Sequence, residues 1–286
     1  MMVEHNYSTV RLGSWREYKL FVEQFSGNWA FRGQADAAWV LNNAIERTCF
    51  IHFHKCIEAD FVAEFQRGAR NYLMKDETPE HLIEWLALMQ HHGAPTRLLD
   101  LTRSPFIASY FAFELCQEAP EHYVAVWGIN INYLKNRSLQ ILSEEFGEAL
   151  KESKHLINEN LFAKIFYQNN KRLVFPVEPF RMNRRYSLQQ SVFISTGISE
   201  IPLMDQLHFL GDSIEQAVVK IEIPSQCKKT ALRDLLQMNL HTASLFPDLD
   251  GYARSLKLRY DSMKTPEQTV EENLKKLEDE GYQFIP

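Results

Sequence analysis

Large apolar residues recur at helical spacing near the start of the chain. Trp15, Tyr18, Phe21, Val22 and Phe25 fall on one side of SWREYKLFVEQF. This pattern predicts an amphipathic helix over 14–25 with Ser14 as its cap. Ser26-Gly27-Asn28 breaks it, and the alternation in WAFRGQ, 29–34, predicts a short strand. Arg32 and Gln34 share one face of that strand, because side chains alternate. Residues 36–90 are mostly helical in pattern. One helix starts at Ala44. A second runs from Glu58 to Tyr72 with Phe61, Phe65, Ala69 and Tyr72 inward. Thr78-Pro79-Glu80 is a start signal for a third, which turns Leu82, Trp85, Leu86 and Met89 inward and ends at His91-His92-Gly93.

The period changes again at TRLLDL, 96–101, a predicted strand. Arg97, Leu99 and Leu101 would face one way, and Thr96, Leu98 and Asp100 the other. Charges in such an apolar strand call for paired, hydrogen-bonded arrangements. Ser104-Pro105 opens a helix whose buried stripe is Ile107, Ala108, Phe111 and Ala112, small enough in part to approach a sheet closely. Val124–Ile131 is a buried strand. Residues 133–165 are polar, helical and expected at the periphery. Arg172–Pro179 is extended, and Tyr186–Ile194 is a strand with Gln189, Ser191 and Phe193 on one face. Val218–Ile223 is a strand ended by Pro224. Thr230–Leu240 is a helix, and a compact turn at 245–251 leads to another over Tyr252–Leu258. Strands scattered among helices without βαβ alternation indicate an α+β fold. The expected organisation is one domain over 1–260, with helical insertions at about 36–90 and 133–165 and a charged helix over 261–286.

Composition narrows the class. With 45% hydrophobic and 24% charged residues, the 286-residue chain can bury a large core without disulfides or metal. A net charge of −6 argues against a surface that grips nucleic acid throughout, but leaves room for a local basic cleft. The four cysteines, Cys49, Cys56, Cys116 and Cys227, form no CxxC pair and are expected as reduced thiols in a cytoplasmic protein. The first residues lack a cationic start and an apolar stretch, so no secretory signal is expected there. No apolar run reaches the ~20 residues that span a bilayer, so no membrane partner is expected. His91 and His92, at i and i+1, diverge by about 100° on a helix and are poor joint ligands, so no metal is expected.

Candidate chemistry is carried by polar residues planted in strands. There is no P-loop, no GxGxxG after a strand, no GxSxG and no HExxH. Three segments stand out instead: Arg32 with Gln34; Arg97, Asp100 and Thr102; and Arg185 with Gln189. They are either three separate structural networks or one shared cleft. A shared cleft of arginines, amides, a hydroxyl and a carboxylate suits a phosphate-bearing ligand.

These segments also carry a resemblance. WAFRGQADAAWVLNNAIER at 29–47 resembles the opening of the FRG domain, named for Phe-Arg-Gly, here Phe31-Arg32-Gly33. LALMQHHGAPTRLLDLTRSPFIASYFAFE at 86–114 resembles its central motif. RYSLQQSVF at 185–193 and LFPDLDGYARSL at 245–256 are similar to its later segments. The likeness spans roughly 29–256 in chain order. His92, Leu101 and Ser191 depart from the family's tyrosine, tryptophan and glycine, and none of these changes removes a charge.

The resemblance implies a distant relation to the ADP-ribosyltransferase fold, in which a split β-sheet clasps NAD. It implies catalytic roles for Arg32, Asp100, Thr102 and Gln189. It implies cofactor contacts from Phe31, Gly33, Gln34, His91, Arg97, Arg185 and Phe193. Asp100 is favoured over Glu215 and Glu222 as the carboxylate. The function implied is NAD-dependent ADP-ribosyl transfer to an RNA or protein target by a toxin or anti-phage effector, with an antitoxin or chaperone docking on the acidic C-terminal segment. Two other readings stand beside it. One is a noncatalytic nucleotide- or nucleic-acid-binding module. The other is an RNA-cleaving toxin using His91 with Arg97.

Overall fold

The computed structural model describes residues 7–48, 57–75, 77–146, 159–179, 181, 184–211, 214–261 and 274–275. In chain order the elements are β1 (Ser8–Arg11), α1 (Trp15–Val22), β2 (Trp29–Gln34), α2 (Ala44–Thr48), α3 (Ile57–Ala69), α4 (Leu82–His91), β3 (Leu98–Thr102) and α5 (Pro105–Glu114). Then follow β4 (Tyr123–Asn130), α6 (Ile131–Phe146), α7 (Glu159–Gln168), β5 (Val174–Val177), α8 (Arg184–Leu188) and β6 (Ser191–Thr196). The rest are α9 (Leu203–His208), α10 (Ile214–Ala217), β7 (Val218–Pro224), α11 (Lys228–Gln237), α12 (Thr242–Leu245) and α13 (Leu249–Asp261).

The fold is α+β, built on a mixed seven-stranded sheet in the order β1-β7-β4-β2-β3-β6-β5. Only β1 and β7 pair in parallel; the other neighbours are antiparallel. Period-two alternation sorts β4 onto two cores. Ala125, Trp127 and Ile129 enter one, and Val124 and Val126 the other. The first core is covered by α3, α4, α6, α7 and α9, the second by α1, α5 and α11. Leu134, Leu142, Phe162, Ile165 and Phe166 are buried in the first core. The helices expected at the periphery over 133–165 are therefore partly core-forming, because their apolar faces close over β5.

The sheet opens in the middle. β2 pairs with β4 along its whole length, Trp29 to Gln34, but meets β3 only at Phe31–Thr102. β3 is in turn fully paired to β6. The strands thus form two halves that touch near one point. On one side α5 presses against β2. A Cβ on Gly33 would overlap the carbonyl oxygen of Ala108 and stand 2.7 Å from Ala112 N. The missing side chain of Gly33 is what lets α5 lie there.

Several boundaries differ from expectation. Tyr72 is 87% exposed, since α3 ends at Ala69. Helix α4 begins at Leu82 rather than at Pro79, with its first turn closed by Trp85 N donating to His81 O. Its end is as expected, with Gly93 at φ +84°. Helix α13 begins at Leu249, where Asp248 Oδ1 accepts from Gly251 N at 2.6 Å. The strand expected from Tyr186 begins at Ser191, because residues 184–188 form α8 and Gln190 turns at φ +49°. The charged C-terminal helix lies outside the described residues except at 274–275, which are helical.

Candidate functional site

The split between β2 and β3 is the floor of a cleft of about 440 Å³. Arg32 reaches across the split, its Nη1 donating to the carbonyl oxygen of Asp100 at 2.8 Å. One guanidinium edge is thereby fixed. The other is not, since Nε is buried with no hydrogen-bond partner. Burial pulls the Arg32 pKa below its ordinary value; Asp100 opposes that shift and Arg47 adds to it.

The second wall comes from α8. Gln189 N donates to Arg185 O at 2.9 Å, so the helical turn continues to Gln189. A spacing of i, i+4 on a helix keeps Arg185 and Gln189 within ~6 Å, where a strand would separate them by ~13 Å. Both line the cleft. Arg185 Nε is buried and unpartnered, and its guanidinium stacks on the Phe246 ring at 4.5 Å. Tyr186 stands behind, its hydroxyl donating to Ala87 O and its ring edge-on to Phe193. Burial and the nearby Asp100 charge push the Tyr186 phenol pKa upward, so it stays protonated.

His91 closes one end from the last turn of α4. Its Nδ1 is also buried without a partner. Burial first, then the His92 and Arg185 charges, hold its pKa below the ordinary imidazole range, against the opposing Asp248. Three donor-bearing side chains thus face one cavity with a polar nitrogen unsatisfied: Arg32, His91 and Arg185. Orphaned buried groups of this kind are costly in a folded protein; among the described residues Asn43 Nδ2, His122 Nδ1 and Thr196 Oγ1 are likewise unpartnered, outside this cleft.

Of the residues singled out in the sequence, Phe31, Arg32, Gly33, His91, Asp100, Thr102, Arg185 and Gln189 line this cleft. Thr102 and Gln189 are partly committed to the protein. Thr102 Oγ1 donates to Gln189 O at 2.7 Å and accepts from Ser104 N at 3.1 Å. Gln189 Nε2 donates to Leu245 O at 3.0 Å.

Gln34, Arg97 and Phe193 do not reach the cleft. Gln34 is buried, accepting from Trp127 Nε1 and donating to Val40 O. Phe193 is wholly buried behind Tyr186. Arg97 pairs with Glu58 rather than Asp100. Its N and Nε donate to the two carboxylate oxygens at 2.7 and 2.5 Å, and its guanidinium lies on Phe166. Glu222, considered as a catalytic carboxylate, is bound to Arg11 and Lys220 on β7, and neither it nor Glu215 lines the cleft.

Other cleft residues carried no assigned role in the sequence. Glu114, in the last turn of α5, is the second carboxylate there beside Asp100. An acidic residue at that end opposes the helix dipole, which is the signal that could have marked it. Phe246 and Arg254 come from the LFPDLDGYARSL segment, recognisable in the sequence but without geometry until α12 and α13 fold over the cleft. Among the described residues no group of His, Cys, Asp or Glu could hold a metal, and no helix is long and apolar enough to cross a membrane.

No curated protein and no solved structure shows detectable similarity to the chain. Residues 27–121 match the FRG domain family. That span runs from β2 through α5 and holds Arg32, His91, Asp100, Thr102 and Glu114, while the α8 and α13 walls lie beyond it. The chain carries an FRG domain over residues 27–121, and its cleft floor is made by that domain.

Proposed function

We propose that this cleft transfers ADP-ribose from NAD to an RNA or protein target, as a toxin or anti-phage effector would. The supporting observation is the convergence of Arg32, His91 and Arg185, each with a buried and unpartnered ring or guanidinium nitrogen, on the cleft of a split sheet. A split sheet with an arginine across the gap agrees with the plan of ADP-ribosyltransferases. The cleft volume lies in the range of small-molecule sites, and its donor set fits a diphosphate ligand.

In this reading the bond between nicotinamide and ribose C1′ breaks, and nicotinamide leaves with the electron pair. A target oxygen or nitrogen bonds C1′ and gives up its proton to a carboxylate. The transition state carries positive charge on the ribose, so positioning and negative charge supply the catalysis. Arg32 would hold the phosphates or the nicotinamide ribose. Asp100 and Glu114 would offset the developing charge, one of them accepting the target proton. Thr102 and Gln189 would shape the wall through their mutual hydrogen bond.

The direct test is to incubate the protein with NAD labelled in its adenylate moiety, together with RNA or lysate protein, and to follow nicotinamide release. Label transfer that disappears in Arg32→Ala supports the reading. Comparison of Asp100→Asn with Glu114→Gln identifies the carboxylate. Absence of both transfer and nicotinamide release with every target would sink it.

A noncatalytic nucleotide-binding module is the second reading. It is favoured by the internal commitments of Thr102 and Gln189, whose side chains are spent on Gln189 O and Leu245 O. NAD binding with no nicotinamide release would select it. An RNA-cleaving toxin would need Arg97 beside His91, and Arg97 is instead clasped by Glu58.

A further inference from the structure

Phe246 holds two cations. The guanidinium carbon of Arg185, on α8, stands 4.5 Å from its ring centroid, and that of Arg254, on α13, stands 4.7 Å away. Phe111 meets the same ring edge-on, which fixes its plane. Two positive charges gathered on one ring repel each other. Among the described residues neither forms an ion pair. Arg254 Nε reaches only the carbonyl oxygen of Asp250, at 3.4 Å, and Arg185 Nε has no partner. Stacking satisfies a guanidinium on its face and leaves its N–H edge available. Asp100 and Glu114 share the cavity, yet neither stands within ion-pair distance of these arginines.

We propose that Arg185 and Arg254, braced on Phe246, form a phosphate subsite distinct from Arg32. The planar forks match phosphate oxygens bidentately. The shared ring holds them in place before any ligand arrives, so less side-chain entropy is lost on binding. The anion is a phosphate group, supplied either by the diphosphate of NAD or by the backbone of a target strand. The subsite does not depend on the transferase reading, because it requires binding and no chemistry.

The experiment titrates the full chain calorimetrically with inorganic pyrophosphate, with NAD and with a short single-stranded RNA at low salt. Arg254 is exposed, so Arg254→Ala should leave folding intact, which a melting curve checks. Arg233→Ala, an exposed arginine on α11, serves as control. The expected result is at least tenfold weaker pyrophosphate binding in Arg254→Ala, partial recovery in Arg254→Lys and no change in Arg233→Ala. A parallel loss for NAD or for RNA names the source of the phosphate. Wild-type affinity of Arg254→Ala for all three probes overturns the subsite, as does failure of the wild type to bind any of them. Pyrophosphate binding that needs Arg254, without nicotinamide release, leaves the subsite standing and removes the transferase reading alone.

Discussion

Two arginines sit at the middle strands, one buried and one half-buried, and are treated in opposite ways. Arg97, just ahead of β3, is 2% exposed and fully answered. Glu58, itself wholly buried, accepts from its backbone and its Nε, the carbonyls of Thr196 and Gly197 lie at 3.4 Å from Nη1, and Phe166 covers its face. Arg32, on β2, lines the cleft with Nη1 held by the Asp100 carbonyl and its buried Nε without a partner. The first arrangement ties the helical layer to the sheet and needs nothing from outside. The second leaves Nε without a partner at the wall of a cleft. The two differ both in burial and in hydrogen bonding: Arg97 is buried and answered, whereas Arg32 is half-buried with an unpartnered Nε.

The largest effect expected from this contrast belongs to the Arg97 side. Glu58→Ala leaves a buried guanidinium uncompensated and should cost about 3–5 kcal/mol of stability, read from urea unfolding. A loss below about 1 kcal/mol would mean that solvent reaches Arg97 and would dissolve the distinction. Arg32→Ala should behave in the reverse sense. Its stability should change by about 1 kcal/mol or less, the net worth of one hydrogen bond across the split. Its affinity for NAD should fall by about 10–100-fold, as for loss of a charge-assisted contact. Between these lies Gly33→Ala, which forces β2 and α5 apart. It should destabilise by about 1–3 kcal/mol and widen the cleft, so that denaturation midpoint and ligand affinity fall together.

Much of the frame could be read from local pattern. Helix α1 with its Ser14 cap, β2, the Gly93 stop and the Ser104-Pro105 start of α5 all follow from rules acting over a few residues. Arg97 departs from the expected cleft contact because its partner, Glu58, lies 39 residues away in a stretch where nothing marks a buried carboxylate. The stretch Tyr186–Ile194 reads as strand because Tyr186, Leu188, Gln190, Val192 and Ile194 alternate, but only its second half is one. Residues 184–190 are rich in helix-favouring Arg, Leu and Gln, and β-branched residues begin only at Val192. Arg254 and Phe246 were legible as a motif but not as a wall, since their place depends on where α13 docks. The cleft itself is a product of topology: it exists because β2 and β3 pair at one position, and no short-range pattern encodes a missing ladder.

The mildest test uses pH, and it bears on the incomplete side of the comparison. His91 has its pKa held below the ordinary ~6.5 by burial, His92 and Arg185, with Asp248 pulling the other way. In the window just below that value the unfolded chain binds a proton that the folded chain refuses. Stability therefore falls as pH drops, and the contribution of His91 is complete above about 6.5. Wild-type urea midpoints should rise between about pH 5 and pH 7.5 by slightly more than those of His91→Gln, where this group is absent. A phosphate seated near Arg185 would offset the positive charges that depress His91 and would favour the imidazolium. Saturating pyrophosphate should then narrow the gap between the two proteins at low pH. A gap that pyrophosphate leaves unchanged would place the bound anion away from His91, and would reduce the unsatisfied Nδ1 to a local defect of the helix end.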